Sequence, residues 1–195
     1  MFLLTNKKKA EIGMLIWAAN LQWFIVQFIV SLSWKNPGYS WKNNMVSDLG
    51  NTVISPLAGL MNFSFVLTGI LSVFGAFFLR KFLFKNIQGI FVLILLTAGA
   101  IGIIMVGLDP ENLRIKIHLL GANIAGLTVV AIFWASLIFR KSKLLNVLSK
   151  PSLYLSIFLF FVGIYYGHVK GEYSSVVNDS GVRYINSKAD FLGIG

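Results

Sequence analysis

Cysteine is absent from the 195-residue chain, and charged residues make up only 12% of it. Without cysteine, disulfides, thiolate nucleophiles and cysteine metal ligands are excluded. A soluble domain carries about 25% charged residues, so a chain with so few cannot cover a water-facing surface. Hydrophobic residues make up 56% of the sequence, and they recur in runs of about 20, the length that crosses a bilayer. The composition therefore predicts an integral membrane protein.

Five membrane spans can be drawn, and the fold class they predict is an all-α, polytopic transmembrane bundle. The spans cover about residues 12–32, 53–79, 87–108, 117–139 and 152–168. A basic stretch precedes the first run, as in a signal peptide. That run is too long for one and no small-residue cleavage site follows, so we interpret it as a retained span. Residues 1–169 then form one transmembrane domain, and residues 170–195 form a polar tail outside the membrane.

The net charge of +10 comes largely from basic clusters in alternate connections between the spans. This pattern is an orientation signal and not a nucleic-acid surface, so no nucleic-acid partner is expected. The clusters are Lys7, Lys8 and Lys9, then Arg80, Lys81 and Lys85, then Arg140, Lys141, Lys143 and Lys150. By the positive-inside rule they predict a cytoplasmic amino terminus in a multi-pass protein of the cell membrane. Six of the seven acids fall on the other side.

Polar residues gather at the predicted outer ends of the second and fourth spans. The candidates for catalysis are His118, Asp48, Glu111 and Ser47, and the candidates for ligand contacts are Asn62, Asn51, Asn112 and Asp109. An ordinary structural role competes with these functions. Asp109 fits the N-cap of a helix that has Pro110 at its first position and Glu111 in its first turn. The amides are equally suited to hydrogen bonds between helices.

His118 is the residue that helix capping does not explain. It shares a helical face with Gly121, Ala122 and Ala125, and small residues are typical of helix–helix contacts in membranes. An ionisable residue on such a face is either functional or satisfied by one interhelical hydrogen bond. In the functional interpretation His118 faces a cavity beneath the loop of Ser47, and a carboxylate orients its second nitrogen. Asp48 is the first choice for that partner and Glu111 the second.

Motifs for metals and cofactors are missing from the sequence. His168 closes the fifth predicted span on the same side as His118, but the two histidines and the acids do not have the spacing of a known metal site. No phosphate-binding loop, nucleophile elbow or dinucleotide fingerprint is present. Neither a cofactor nor a metal is therefore expected.

Three stretches carry a resemblance: YSWKNNMVSDLGN with SPLAGLMNFSFVLTGIL, then VGLDPEN, then HLLGAN. Together they resemble a family of bacterial and archaeal membrane proteins named domain of unknown function 998 (DUF998), from about Tyr39 to His118 and more loosely through the fifth span. The matched residues are Ser40, Asn44, Ser47, Asp48, Leu49, Gly50, Ser55, Pro56, Asn62, Gly69, Gly107, Pro110, Glu111, Asn112, His118 and Gly121. The resemblance implies a helical membrane bundle, usually of six spans, so ADFLGIG would lead into a missing sixth helix. It implies no activity.

Two classes of function stay open. In the first, the bundle has an outward-facing polar pocket that binds a lipid-like or small ligand without catalysis. In the second, it is an intramembrane hydrolase or transferase that acts on a lipid-like substrate at the outer leaflet with its Ser, Asp and His groups. A channel or carrier is less favoured, because no inverted repeat is visible. Membrane lipids are the expected partners in either class, and the sequence does not indicate an oligomeric state.

The basic clusters make the topology testable. A cysteine that replaces Lys42 should react with a membrane-impermeant maleimide in intact cells, and one that replaces Lys143 should react only after the cells are opened. The chain has no cysteine of its own, so the background is low. The reverse pattern would contradict the predicted orientation.

Overall fold

The structure is a computed structural model that describes residues 5–35, 38–41, 44–83 and 86–139, together with residues 154–155, 157–158, 161, 174–178 and 181–185. The long helices are α1 (Asn6–Ala18), α2 (Gln22–Ser33), α3 (Ala58–Leu83), α4 (Ile87–Leu108), α5 (Glu111–Ala125) and α6 (Leu127–Phe139). Short 3₁₀ helices cover Ala19–Leu21 and Val46–Gly50, and the strands are β1 (Ser174–Asn178) and β2 (Gly181–Ile185).

These helices provide four segments that are long and apolar enough to cross a membrane. The segments are Lys8–Ser33, Ala58–Lys81, Ile87–Leu108 and Glu111–Ile138. Large apolar side chains point away from the bundle: Phe24 is 62% exposed and Phe63 is 63% exposed. Such a surface suits lipid and not water. The helical membrane bundle is therefore confirmed, while most of the predicted fifth span, 152–168, lies outside the described residues, as does His168.

Two predicted span boundaries are wrong. The second span begins at Ala58 and not near Val53, because Pro56 and the turn before it delay the helix. The fourth begins at Glu111, well before Ile117. Its N-cap position is occupied by Pro110, so the N-cap role predicted for Asp109 is also wrong.

Close contacts between helices depend on glycine. On α4, a Cβ atom added to Gly102 would lie 2.5 Å from the carbonyl oxygen of Gly121 on α5. In return, a Cβ atom on Gly121 would lie 2.8 Å from the Cβ atom of Met105. Backbones can approach this closely only without side chains between them, as is common in membrane helices. Gly121 is buried as predicted, but Ala122 is exposed, so the small-residue face predicted beside His118 is only partly correct.

Polar contacts join the first span to α3. Gln22 Nε2 donates to Thr68 Oγ1 at 2.9 Å, and Ser64 Oγ donates to Gln22 Oε1 at 2.9 Å. The indole Nε1 of Trp17 donates to the carbonyl oxygen of Ser72 at 3.1 Å. A membrane helix cannot exchange such bonds for bonds to water, so they hold α1 and α2 in register with α3.

The 3₁₀ helix Val46–Gly50 closes one end of the bundle. Its Leu49 is fully buried and packs with Val30 of α2, Met61 and Phe65 of α3, and Val106 of α4. This apolar cluster anchors the connection between α2 and α3 against the end of α4, next to the connection between α4 and α5. It therefore brings two loops together that are distant in sequence.

A hairpin in the tail was not predicted. β1 pairs antiparallel with β2, with Asn178 opposite Gly181. Both strands are rich in β-branched residues, which favour extended backbone. β1 also contacts α5.

Gly102→Ala should destabilise the bundle by about 1–3 kcal/mol, because the added methyl group meets backbone atoms of α5 that cannot move aside. Thermal unfolding of the detergent-solubilised protein would measure the loss. The matched control is Gly59→Ala on α3, where an added Cβ meets no atom within 4 Å. Higher helix propensity should leave that variant as stable as the wild type or up to about 1 kcal/mol more stable. Equal losses in the two variants would contradict the close approach of α4 and α5.

Candidate functional site

Two loops that were predicted to share a side of the membrane do meet. The carboxylate of Glu111, which begins α5, accepts a hydrogen bond from Ser47 Oγ at 3.3 Å and another from Asn51 Nδ2 at 3.2 Å. Glu111 is only 2% exposed, and Asn51 is fully buried. Ser47, Asp48, Asn51 and Glu111 are called the carboxyl cluster below.

Asp48 is the second carboxyl group of the cluster and is 1% exposed. Its Oδ2 atom accepts from the backbone N–H of Met45 at 3.0 Å and from Asn44 Nδ2 at 3.2 Å. The first bond caps the amino end of the 3₁₀ helix. Asp48 and Glu111 also lie close enough to interact electrostatically. Two carboxylates so close together in a buried site repel each other unless a proton or a cation balances them.

No described lysine or arginine neutralises Glu111. The ion pair found among the described residues joins Arg114 Nη1 to Asp109 Oδ1 at 3.0 Å. The Arg114 side chain is 67% exposed.

The backbone of Arg114 interrupts α5, because its φ of −141° and ψ of 67° lie outside the helical region. α5 is therefore kinked directly after the turn that carries Glu111.

Solvent-exposed hydrogen bonds join Thr52 and Asn112, the residues that follow Asn51 and Glu111 in the sequence. Asn112 Nδ2 donates to Thr52 Oγ1 at 2.9 Å, and Asn112 Oδ1 accepts from the backbone N–H of Thr52 at 3.1 Å. Asn62 Nδ2 donates to the carbonyl oxygen of Gly50 at 2.8 Å. A Cβ atom at Gly50 would collide with Asn62 Oδ1. Asn112 and Asn62 therefore bond to the loop at Thr52 and at Gly50, and none of these hydrogen bonds involves a carboxyl group.

His118 lies beside the cluster and is 4% exposed. Its Nδ1 atom is 2.8 Å from the carbonyl oxygen of Asp109. A carbonyl oxygen only accepts, so Nδ1 carries a proton and donates this bond. The expectation that Asp48 or Glu111 orients the ring is therefore wrong for this nitrogen, which a main-chain group holds instead.

The structure thus divides the eight candidates. Four of them lie together in the carboxyl cluster: Ser47, Asp48, Asn51 and Glu111. Asn112 and Asn62 form hydrogen bonds to the neighbouring loop. His118 is hydrogen-bonded to the backbone of Asp109. The sequence interpretation missed Thr52 and Tyr39. No motif distinguishes Thr52 from other loop hydroxyls. Among the residues that the structure describes, no three His, Cys, Asp or Glu side chains converge on a metal position.

Tyr39 lies in the connection between α2 and α3, close to Asp48 of the carboxyl cluster. Its hydroxyl donates to the carbonyl oxygen of Met45 at 3.1 Å. Burial, and secondly the charge of Asp48, raises the pKa of Tyr39 from its usual 10.0 to about 12. The folded state therefore favours the neutral phenol. That contribution to stability is complete below pH 10 and is lost as the pH rises through 12.

The titration can be measured as tyrosinate absorbance, with the Tyr39→Phe spectrum subtracted from that of the wild type. We expect a midpoint near 12, and Asp48→Asn should lower it by removing the electrostatic part alone. An ordinary midpoint for Tyr39 would contradict its burial beside the cluster.

Comparison with known proteins extends the resemblance noted in the sequence. The model of the family described as "Protein of unknown function (DUF998)" matches residues 17–178, a stretch that contains every residue of the carboxyl cluster. No curated protein and no solved structure matches the chain. A match over most of the chain establishes the family, and the protein belongs to the DUF998 family of membrane proteins.

Proposed function

We propose that this protein is a non-catalytic binding protein of the cell membrane whose carboxyl cluster takes the ammonium group of a lipid-like or small ligand. The observation that supports this most directly is the meeting of Asp48 and Glu111 in one buried cluster. Buried carboxyl groups are costly unless a cation or a proton balances them. An ammonium group bound between the two carboxylates would donate hydrogen bonds to both groups.

The proposed orientation puts the cluster at the outer face. The amino terminus is cytoplasmic in this proposal, because the basic clusters favour that side. The connection of Ser47 and the connection of Glu111 then both lie at the outer leaflet, at headgroup depth. A fifth span would follow α6, and the ligand would be a lipid or an amphipathic amine that approaches from that leaflet.

Access to Glu111 needs a movement, because that residue is 2% exposed. The contacts between Asn112 and Thr52 are exposed to solvent, and hydrogen bonds that can be exchanged with water cost little to open. The kink at Arg114 separates the Glu111 turn from the rest of α5. We propose that the Thr52–Asn112 contact is a latch that opens to admit the ligand.

The hydrolase or transferase alternative has less geometric support. Catalysis by Ser47 with His118 as its base needs the imidazole within hydrogen-bond reach of the hydroxyl. The hydroxyl of Ser47 donates to Glu111, and the bonded nitrogen of His118 donates to a main-chain carbonyl. His118→Gln separates the two alternatives: ligand binding should survive it, whereas an enzyme that uses His118 should lose lipid turnover.

Binding can be tested with two phospholipids that share acyl chains and differ in the headgroup. Added to the detergent-solubilised protein, dioleoyl phosphatidylethanolamine should raise the unfolding temperature, and dioleoyl phosphatidylglycerol should not, because only the former has an ammonium group. Native mass spectrometry would count the lipids that stay bound. Glu111→Gln should abolish the difference, while Asn112→Ala should strengthen binding, since more of the protein would be in the open state.

The matched control is Glu11→Gln, which removes an exposed carboxylate from α1 and leaves the cluster intact. It should bind as the wild type does. Equal stabilisation by both lipids, or full retention of the ethanolamine effect in Glu111→Gln, would contradict the proposal.

A further inference from the structure

A second polar feature lies deep in the bundle, separate from the carboxyl cluster. A partly open cleft of about 290 Å³ lies between α1, α3, α4 and α6, and its lining includes Trp17, Asn20, Ser72, Ala100 and Thr128. These residues lie well inside the four membrane-spanning segments and away from their ends. The cleft is therefore at the depth of lipid hydrocarbon and not of headgroups.

Two residues that line this cleft each have a buried polar atom without a hydrogen-bond partner among the described residues: Asn20 Oδ1 and Thr128 Oγ1. The amide nitrogen of Asn20 is satisfied, since it donates to Ser72 Oγ at 3.3 Å. Other helix hydroxyls bond to the preceding turn; Thr97 Oγ1, for example, donates to the carbonyl oxygen of Leu93 at 2.8 Å. A buried polar group without a partner has lost its hydrogen bonds to solvent without replacing them, which destabilises the fold. Two such destabilising groups, on Asn20 and Thr128, therefore lie at the same cleft.

Both atoms sit beside interruptions of their helices. Asn20 is the middle residue of the 3₁₀ helix that separates α1 from α2. Thr128 follows Gly126, where α5 gives way to α6 and Val129 N–H bonds to the carbonyl oxygen of Gly126 at 3.0 Å. Interrupted helices at mid-membrane depth are a recurring way of presenting polar groups to a ligand. A Cβ atom on Gly99 of α4 would collide with Thr128 Oγ1, so glycine leaves room for that hydroxyl.

We propose that this cleft binds a neutral molecule with one hydroxyl group and an apolar body, such as a medium-chain or isoprenoid alcohol. A hydroxyl can donate to Asn20 Oδ1, which only accepts, and can accept from Thr128. None of the residues that line the cleft is charged, and an ion at this depth would be expensive. The volume of 290 Å³ equals that of about ten waters in the liquid, which suits about ten non-hydrogen atoms.

The test uses the full chain in phosphatidylcholine nanodiscs and an eight-carbon alcohol that carries a diazirine. Irradiation should attach this probe to peptides that contain Trp17, Asn20 or Ser72, as mapped by mass spectrometry. Excess 1-octanol should compete with it, and octane should not. The same diazirine chain without a hydroxyl group should label these peptides about tenfold less, the equivalent of about 1.4 kcal/mol.

Two near-isosteric variants remove the unpartnered atoms, Thr128→Val and Asn20→Leu. Each should lower labelling of the cleft about tenfold. Thr128→Val should do so without lowering the unfolding temperature, because an unpartnered hydroxyl is replaced by a methyl group. Asn20→Leu also removes the hydrogen bond to Ser72, so its unfolding temperature should fall slightly. The control is Thr97→Val, which removes a satisfied hydroxyl outside the cleft and should leave labelling unchanged. Equal labelling by the hydrocarbon probe would identify the occupant as an acyl chain and overturn the proposal. Labelling that persists in both variants, or no labelling of the cleft, would overturn it as well.

Discussion

Lipid hydrocarbon cannot hydrogen-bond, and the rest of this structure depends on that constraint. Each polar side chain in the four spans must find its partner inside the protein. In the seam of Gln22, Ser64 and Thr68, these side chains bond to one another and hold the first span against α3. Two polar sites lie apart from this seam. The carboxyl cluster concentrates two acids near one end of the bundle, and the cleft at Asn20 and Thr128 leaves two buried atoms without a described partner.

The class of fold followed from composition because the same constraint acts on the sequence. Long apolar runs with few charges have one stable outcome in a membrane, so helices and their approximate positions could be predicted. Both ends of the third span, 87–108, were predicted correctly. The starts of α3 and α5 were not, because they depend on local backbone geometry. The capping pattern at Asp109 was a sound local inference. The chain instead starts α5 at Glu111 and pairs the Asp109 carboxylate with Arg114.

The sequence could predict which loops meet at the site, but it could not predict which groups bond to each other there. Alternating basic clusters placed the connection of Ser47 on the same side as Glu111, 64 residues later, and the structure joins them by a hydrogen bond. The choice of partners was beyond the sequence for a physical reason. The group that holds His118 is a main-chain carbonyl, and every residue has one. The partner of Asn62 is likewise the backbone of Gly50.

The fourth span contributes residues to both polar sites, the carboxyl cluster and the cleft at Thr128. Glu111 begins it, Gly121 fastens its middle to α4, and Thr128 follows its interruption at Gly126. The kink at Arg114 lies between Glu111 and the glycine contact, so the first turn can move without separating α5 from α4. The interruption at Gly126 lies on the other side of that contact. The closely packed middle of the span therefore acts as a fixed point, and a rearrangement at one site need not be transmitted to the other.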